Sequence, residues 1–176
     1  MEIVYDTDAS ARLANTRILI RYDNDCARPD KTDDMLFSPK NSDVYGFEVF
    51  DKSDPRNKII CYADSEQLDA EIKAGNFKNK DEINDWLSLV KNAEKKRYQD
   101  WYDGEVYQAI VQKYNAAERC FETIEAYGGI FGWQDLLAEI EDINEELENS
   151  GVTVDAVCIA RYIPKLICHN GKQFLI

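Results

Sequence analysis

The chain has 176 residues and a formal net charge of −13, with 44% hydrophobic and 11% aromatic residues. These values are typical of a folded globular protein and exclude a disordered tail. The length suits one domain, 1–176, that needs no disulfide or metal to hold it together.

The chain shows no sign of membrane insertion or export. No apolar run approaches the roughly 18 residues of a membrane-spanning helix, and the acidic start, MEIVYDTDAS, lacks the pattern of a secretory signal. The cysteines are odd in number and no two form a Cys-x-x-Cys pair, which favours reduced thiols. They are Cys26, Cys61, Cys120, Cys158 and Cys168. We therefore predict a cytoplasmic protein without membrane contact.

Residues 1–63 are predicted to be rich in strands. The segment 17–22, RILIRY, has the β-branched content of a strand. A polar, aspartate-rich loop follows it. Further on, VYGFEVFD and KIICYA flank the polar segment KSDPRN, which predicts a β-hairpin with a longer turn.

Residues 64–150 are predicted to be helical, with about four helices. The first begins at Asp64 or Ser65 as its cap and ends at Gly75 in the left-handed conformation. The second follows Asn79. A third is predicted over 103–127, because apolar residues recur there at helical spacing and two glycines follow. The fourth occupies 133–151.

Residues 151–176 are predicted to return to strands, ending in a hairpin whose Asn170–Gly171 turn is a strong short-range signal. The order of strands, helices and strands indicates an α+β fold. We expect a mostly antiparallel sheet, built from the N- and C-terminal strands and packed against the central helices. The predicted core residues are Trp86, Val90, Val106, Ile110, Phe121, Ile124, Leu136, Ile140 and Leu147.

The negative charge is concentrated in one part of the chain. Residues 101–150 hold 12 of the 34 acidic residues but only two of the 21 basic ones. Within them, the segment 133–151, WQDLLAEIEDINEELENSG, has seven carboxylates and no Lys or Arg. Like charges one helical turn apart repel by roughly a few tenths of a kcal/mol per pair. The segment therefore carries a cost in stability that calls for an explanation.

Two interpretations account for this charge. In the first, the carboxylates face water and some form ion pairs with Arg12, Arg17, Arg21 or the segment 95–97, as charged helix faces commonly do. In the second, they bind a basic partner: carboxylates at positions i and i+4 lie about 6 Å apart, close to the spacing of successive phosphates, so an acidic helix can occupy a groove built for DNA or RNA. The candidate partner-binding residues are Asp135, Glu139, Glu141, Asp142, Glu145, Glu146 and Glu148.

Catalytic candidates are weaker. The only histidine, His169, follows Cys168 directly, and adjacent strand residues point to opposite faces. The two side chains therefore do not form a nucleophile and its base. The chain also lacks phosphate-binding and nucleophile-elbow motifs. We assign no catalytic residue and no cofactor.

The aspartate-rich loop offers oxygen ligands of the kind that hard cations prefer. It lacks the glycine and the distant glutamate of a calcium-binding EF loop, so a solvated loop is the default interpretation. The metal candidates are Asp23, Asp25, Asp30, Asp33 and Asp34.

The sequence thus favours an acidic, non-enzymatic inhibitor or interaction protein that occupies the basic, nucleic-acid-binding surface of a partner. A nuclease or an RNA-guided effector is a suitable partner, and a nucleic-acid mimic of the phage or mobile-element counter-defence type, or of the immunity type, fits this description. The net charge of −13 disfavours direct nucleic-acid binding. The alternative is a small metal-dependent enzyme that uses the loop 23–34.

Overall fold

A computed structural model describes residues 3–32, 35–39, 46–52, 54, 56–160, 166–169 and 172–175, the last two segments by their backbone alone. Within these residues the chain forms five helices and ten strands, so the α+β class is confirmed. In chain order the elements are β1 (Ile3–Tyr5), α1 (Ala9–Leu13), β2 (Thr16–Tyr22), α2 (Pro29–Thr32), β3 (Phe37–Ser38), β4 (Gly46–Phe50), β5 (Lys58–Ala63), α3 (Ser65–Ala74), α4 (Lys80–Asp103), β6 (Val106–Asn115), β7 (Cys120–Phe131), α5 (Trp133–Asn149), β8 (Ala156–Ile159), β9 (Leu166–His169) and β10 (Lys172–Leu175).

The chain divides into two compact units. The first contains residues 1–26 and 104–176, and the second contains residues 27–103. The expectation of one domain over 1–176 stays a prediction.

The first unit is built on a five-stranded sheet in the order β1-β8-β2-β6-β7. β8 runs parallel to both β1 and β2, whereas β2 with β6 and β6 with β7 are antiparallel. The predicted mostly antiparallel sheet is therefore corrected to a mixed one. The reason is the connection through α5, which carries the chain from β7 back across the sheet, so that β8 runs in the same direction as β7 and β2.

The predicted third helix is wrong, because residues 106–131 form the β6–β7 hairpin. Asn115 shapes its turn by accepting hydrogen bonds from the backbone N–H groups of Ala117 (2.9 Å) and Glu118 (3.2 Å). The core prediction at Ile124 fails with it, since this side chain is 57% exposed. Val106 and Ile110 are buried as predicted, but on a strand.

The core of the first unit lies between the sheet and α5. Leu136 and Ile140 are buried as predicted, Ile143 is buried beside them, and Leu147 is half-buried against the same cluster. The sheet residues that complete this cluster are Ile18, Ile20, Tyr107, Ala109, Val111, Val154 and Val157. Among the described residues of this unit α5 is the one long helix, and its apolar stripe is confirmed.

The C-terminal hairpin is confirmed by the antiparallel pairing of β9 with β10, in which His169 lies opposite Lys172. The two residues of its predicted turn, 170 and 171, lie outside the described residues.

The second unit contains an antiparallel sheet in the order β3-β5-β4, and the pairing of β4 with β5 confirms the predicted N-terminal hairpin. Asp64 caps α3 as predicted, accepting hydrogen bonds from Glu66 and Gln67 (both 3.1 Å). Gly75 is not left-handed but extended (φ −71°, ψ 130°), which corrects the prediction. A Cβ there would lie 2.2 Å from the Phe77 ring, so a larger residue would have to displace that ring.

α4 begins at the predicted place, after Asn79, whose side chain accepts hydrogen bonds from Asp81 and Glu82 (both 3.0 Å). Its most buried residue is Tyr98, which packs in the core of the second unit. The predicted core residues Trp86 and Val90 are half-buried at the edge of this core. The other buried members are Met35, Leu36, Phe37, Phe47, Val49, Cys61 and Ala63.

Candidate partner-binding surface

α5 is bounded by two glycines in the left-handed half of backbone space. Gly132 (φ 85°) precedes it and donates a hydrogen bond to the carbonyl of Glu105 (2.8 Å). Gly151 (φ 77°) follows it, and the N–H of Val152 returns to the carbonyl of Leu147 (2.8 Å). This is the glycine-terminated helix end that stops a helix sharply, so the acidic segment is a single helix with fixed ends.

The seven carboxylates of α5 form two stripes that flank its apolar face. A helix turns about 100° per residue, so residues spaced by four and three lie in one row. The first row, here called the β7-side stripe, contains Asp135, Glu139, Asp142 and Glu146. The second row, here called the far stripe, contains Glu141, Glu145 and Glu148. Glu139 is half-buried and the other six are exposed.

Within the described part of the chain, none of these carboxylates forms an ion pair. Two arginines that were expected to meet them have other partners. Arg17 donates to Gln112 (2.9 Å) and Arg21 donates to Gln108 (2.7 Å). Both arginines alternate along β2 with the core residue Ile20, so they lie on the face of the sheet opposite to α5.

The β7-side stripe continues onto the sheet through β7. Glu125 lies opposite Val111, on the face of the sheet that α5 covers, and Tyr127 lies opposite Ala109 on the same face. Burial, a hydrogen bond to Glu125 and the charges of Glu125, Glu146 and Glu139 together raise the pKa of Tyr127 to about 12. Carboxylates of two different elements therefore act on one phenol, and the acidic surface extends from the helix onto the strand.

The ends of α5 add to the uneven charge. Asp135 in the first turn is favourable beside the positive end of the helix dipole, but the last turn holds no basic residue. Glu146 and Glu148 lie there instead, where a negative charge is unfavourable. The arrangement does not optimise the stability of the isolated helix.

The aspartate-rich loop uses two of its carboxylates in other ways. Asp23 accepts a hydrogen bond from the backbone N–H of Gly129 (2.9 Å). Asp30 accepts from Arg28 (3.0 Å to Nη2) and lies 3.6 Å from the Lys31 ammonium. Burial works to raise the pKa of Asp30, but the hydrogen bond and charge of Arg28 hold that pKa below its ordinary value.

The remaining metal candidates add no cluster. Asp25 is exposed, and residues 33 and 34 lie outside the described residues. Among the residues that the structure describes, no three Asp, Glu, Cys or His side chains are placed to hold a metal ion. None of these contacts favours the metal-dependent enzyme.

Two buried cysteines, Cys61 and Cys158, have thiols whose pKa is raised. Burial raises the pKa of Cys61 to about 12 and that of Cys158 to about 11, and a protonated thiol is a poor nucleophile. Cys168 and His169 lie in β9, whose side chains are outside the described part of the chain.

The second unit holds a buried carboxylate that sequence reasoning missed. Glu94 accepts hydrogen bonds from the backbone N–H groups of Leu36 and Phe37, both at 2.8 Å. One turn later on α4, the Tyr98 hydroxyl donates to the carbonyl of Phe37 (3.1 Å). Burial raises the pKa of Glu94 even though both backbone hydrogen bonds work to lower it. The pair holds the segment 36–37 on the helix, which is a structural role.

Comparison of the chain with protein-family models, with characterised proteins and with solved structures found no significant match. A search of the described residues also finds no helix that combines the length and the apolar character needed to cross a membrane.

Proposed function

We propose that this chain is a non-enzymatic, cytoplasmic protein that occupies the basic, nucleic-acid-binding surface of a partner protein. The observation that carries the proposal is the acidic surface of α5 and β7, in which seven helix carboxylates form no ion pair within the described residues and Glu125 extends the charge onto the sheet. A nuclease or an RNA-guided effector is the class of partner we expect, as in counter-defence or immunity.

The spacing of the carboxylates supports this class of partner. Each of the two stripes repeats at intervals of four and three residues, which places neighbouring carboxylates about 6 Å apart. A groove that binds successive phosphates presents its cations at a comparable spacing. Complementary potentials of this kind speed association and select among partners.

The energetic cost of the stripes supports a functional origin. Glu141 with Glu145 and Asp142 with Glu146 are like charges one turn apart, and each such pair costs roughly 0.2–0.5 kcal/mol. α4 shows that the chain also builds helices with mixed charge, since Lys96 pairs there with Asp100 (2.7 Å). A basic partner converts the repulsion on α5 into binding energy.

The test uses two matched triple variants. One reverses three of the four charges of the β7-side stripe by Glu139→Lys, Asp142→Lys and Glu146→Lys. The other reverses the far stripe by Glu141→Lys, Glu145→Lys and Glu148→Lys. Both change the net charge equally and leave the apolar stripe intact. A partner captured from the native host is assayed for nucleic-acid binding with increasing amounts of each protein.

We expect the wild-type chain to displace nucleic acid from the captured partner, with an affinity that falls steeply as salt is added. At least one triple variant should lose this competition while keeping its helical circular dichroism. Full competition by both folded variants at physiological salt, or a captured partner without a nucleic-acid-binding surface, would contradict the proposal.

A further inference from the structure

The indole ring of Trp133, the first residue of α5, packs against other aromatic side chains of the first unit. The ring packs edge-on against Tyr107, with centroids 5.7 Å apart and planes at 76°. Tyr107 is buried and stacks in turn on Tyr22, with centroids 5.1 Å apart. Trp133 itself is 37% exposed. A large ring that is both exposed and fixed loses little conformational freedom on binding, and such residues dominate many interfaces.

The surroundings of this ring are acidic. The Tyr107 hydroxyl donates to the carboxylate of Glu105, and the Glu105 carbonyl accepts from Gly132, the residue before Trp133 (2.8 Å). Asp135 lies exposed in the same helical turn. The positive end of the helix dipole opposes a cation here by about half an elementary charge. The charges of Glu105 and Asp135 offset this effect of the dipole, although the Asp135 side chain, two residues from Trp133, lies on another side of the helix.

We propose that Trp133 receives an arginine side chain of the basic partner, with the guanidinium stacked on the indole ring. The inference rests on the proposed function for the charge of the partner. Arginine suits the position better than lysine because its guanidinium is planar, weakly hydrated and able to stack on an aromatic face. The first unit contains such a contact internally, since the Arg17 guanidinium lies 3.6 Å from the centroid of the Phe121 ring.

The test titrates the full chain with two fluorescent peptides of equal length and charge, octa-arginine and octa-lysine, and with a single-stranded oligothymidylate. Fluorescence anisotropy gives the affinities. Two-dimensional NMR follows the indole N–H signals of Trp86, Trp101 and Trp133, which Trp133→Phe assigns. Trp86 packs against Phe77 and Trp101 against Tyr102, so their signals serve as internal controls.

We expect octa-arginine to bind about two- to fivefold more tightly than octa-lysine, as a single exposed cation–π contact allows. Its addition should shift the Trp133 signal and leave the two control signals in place. Trp133→Leu should remove the preference for arginine while retaining the affinity for octa-lysine, and Trp133→Phe should retain part of the preference.

Equal affinity for both peptides with an unmoved Trp133 signal would overturn the inference and leave the proposed acidic surface standing. Binding of neither peptide at low salt would contradict the proposed function as well. A shift of the Trp133 signal by the oligothymidylate would overturn the inference in favour of base stacking.

Discussion

The carboxylate of Asp23 accepts a hydrogen bond of 2.9 Å from the backbone N–H of Gly129, and so joins the loop after β2 to β7. Asp23 also donates its own backbone N–H to the carbonyl of Val106 (2.9 Å). Gly129 has a φ of 71°, and an added Cβ at its neighbour Gly128 would lie 2.7 Å from the Asp23 carboxylate. The two glycines thus allow this aspartate to approach β7 closely. The sequence had predicted that they end a helix, and this prediction is corrected.

Replacing Asp23 with Ala should lower the free energy of unfolding by about 1.5–3 kcal/mol, the range for a hydrogen bond to a charged group. Chemical denaturation measures this change. Asp25→Ala is the control, because this exposed side chain should contribute within about 0.5 kcal/mol. If Mg²⁺ raised the midpoint of unfolding and both substitutions abolished that effect, the loop would bind a cation and the metal-dependent alternative would regain support.

Ile110 and Ile124 provide a direct test of the β6–β7 hairpin. A helix over 103–127 predicts that both are core residues, whereas the hairpin leaves Ile110 5% exposed and Ile124 57% exposed. Ile110→Ala should therefore cost about 2–5 kcal/mol, and Ile124→Ala should cost about 0.5 kcal/mol or less. Equal losses in the two variants, measured by denaturant unfolding, would restore the helical assignment.

The hairpin escaped sequence analysis for a physical reason. From Val106 to Val111 the strand is buried on both faces, so its apolar residues do not alternate with polar ones. A short apolar run of this kind fits a helix and a buried strand equally well by periodicity. The turn signal was also weak, since it depends on the side chain of Asn115 and on Arg119 at a positive φ of 54° instead of a glycine.

Four elements were predictable because their local sequence signals agree with the tertiary packing. They are α5, α3, the hairpin of β4 with β5 and the hairpin of β9 with β10. α5 has a regular apolar stripe, and α3 has Asp64 as its cap. It was not predictable that Arg17 and Arg21 bind Gln112 and Gln108 and do not pair with the acidic stripes, because this depends on which face of β2 carries the two arginines. The convergence of Glu125 with Glu139 and Glu146 depended on the missed hairpin.

The buried carboxylate of Glu94 predicts a dependence of stability on pH. Because its folded pKa is raised, the folded state binds more protons than the unfolded state between the ordinary and the raised pKa. The stabilisation from the protonated form is present below the ordinary pKa and is lost as pH rises through the folded one. The difference in unfolding free energy between the wild type and Glu94→Gln should therefore grow as pH falls from neutral through this window.

Glu94→Gln should also lower stability at neutral pH by about 1–3 kcal/mol. The two carboxylate oxygens of Glu94 accept hydrogen bonds from the backbone N–H groups of Leu36 and Phe37, and the NH₂ group of glutamine cannot accept one of these bonds. Thermal unfolding at several pH values measures both effects. A difference that shrank with falling pH would mean that the hydrogen bonds of Leu36 and Phe37 outweigh burial and that the pKa of Glu94 is lowered.

Tyr127 reports the joining of the acidic surface across α5 and β7. Its pKa of about 12 lies above the ordinary value of 10. Its contribution to stability should therefore be complete below pH 10 and be lost as pH rises through about 12. Glu146→Gln should lower this pKa by removing one nearby negative charge, and added salt should lower it too.

Glu141→Gln is the matched control for Tyr127, because it removes the same charge from the far stripe. Ultraviolet titration of tyrosinate, with Tyr127→Phe subtracted, gives the pKa in each variant. If the pKa of Tyr127 were unchanged in Glu146→Gln, or shifted equally in both variants, the β7-side stripe would have no specific effect on Tyr127. The acidic surface would then not extend from α5 onto β7.

Charge reversals at the two ends of α5 distinguish the effect of the helix dipole on stability from the effect of net charge. Asp135→Lys and Glu148→Lys each change the net charge by the same amount, and each relieves one repulsion, with Glu139 in the first case and Glu145 in the second. The first places a cation at the positive end of the dipole, while the second supplies the basic residue that the last turn lacks. Glu148→Lys also loses an exposed hydrogen bond from Asn144 (2.9 Å), which contributes little in water.

Glu148→Lys should therefore be more stable than Asp135→Lys by about 0.6–2 kcal/mol in denaturant unfolding at low ionic strength. The gap should narrow at high salt, because screening weakens the interaction with the dipole. Equal stabilities at low salt would show that only the total charge of this surface matters to the fold. In that case its cost would be independent of where along α5 each carboxylate lies.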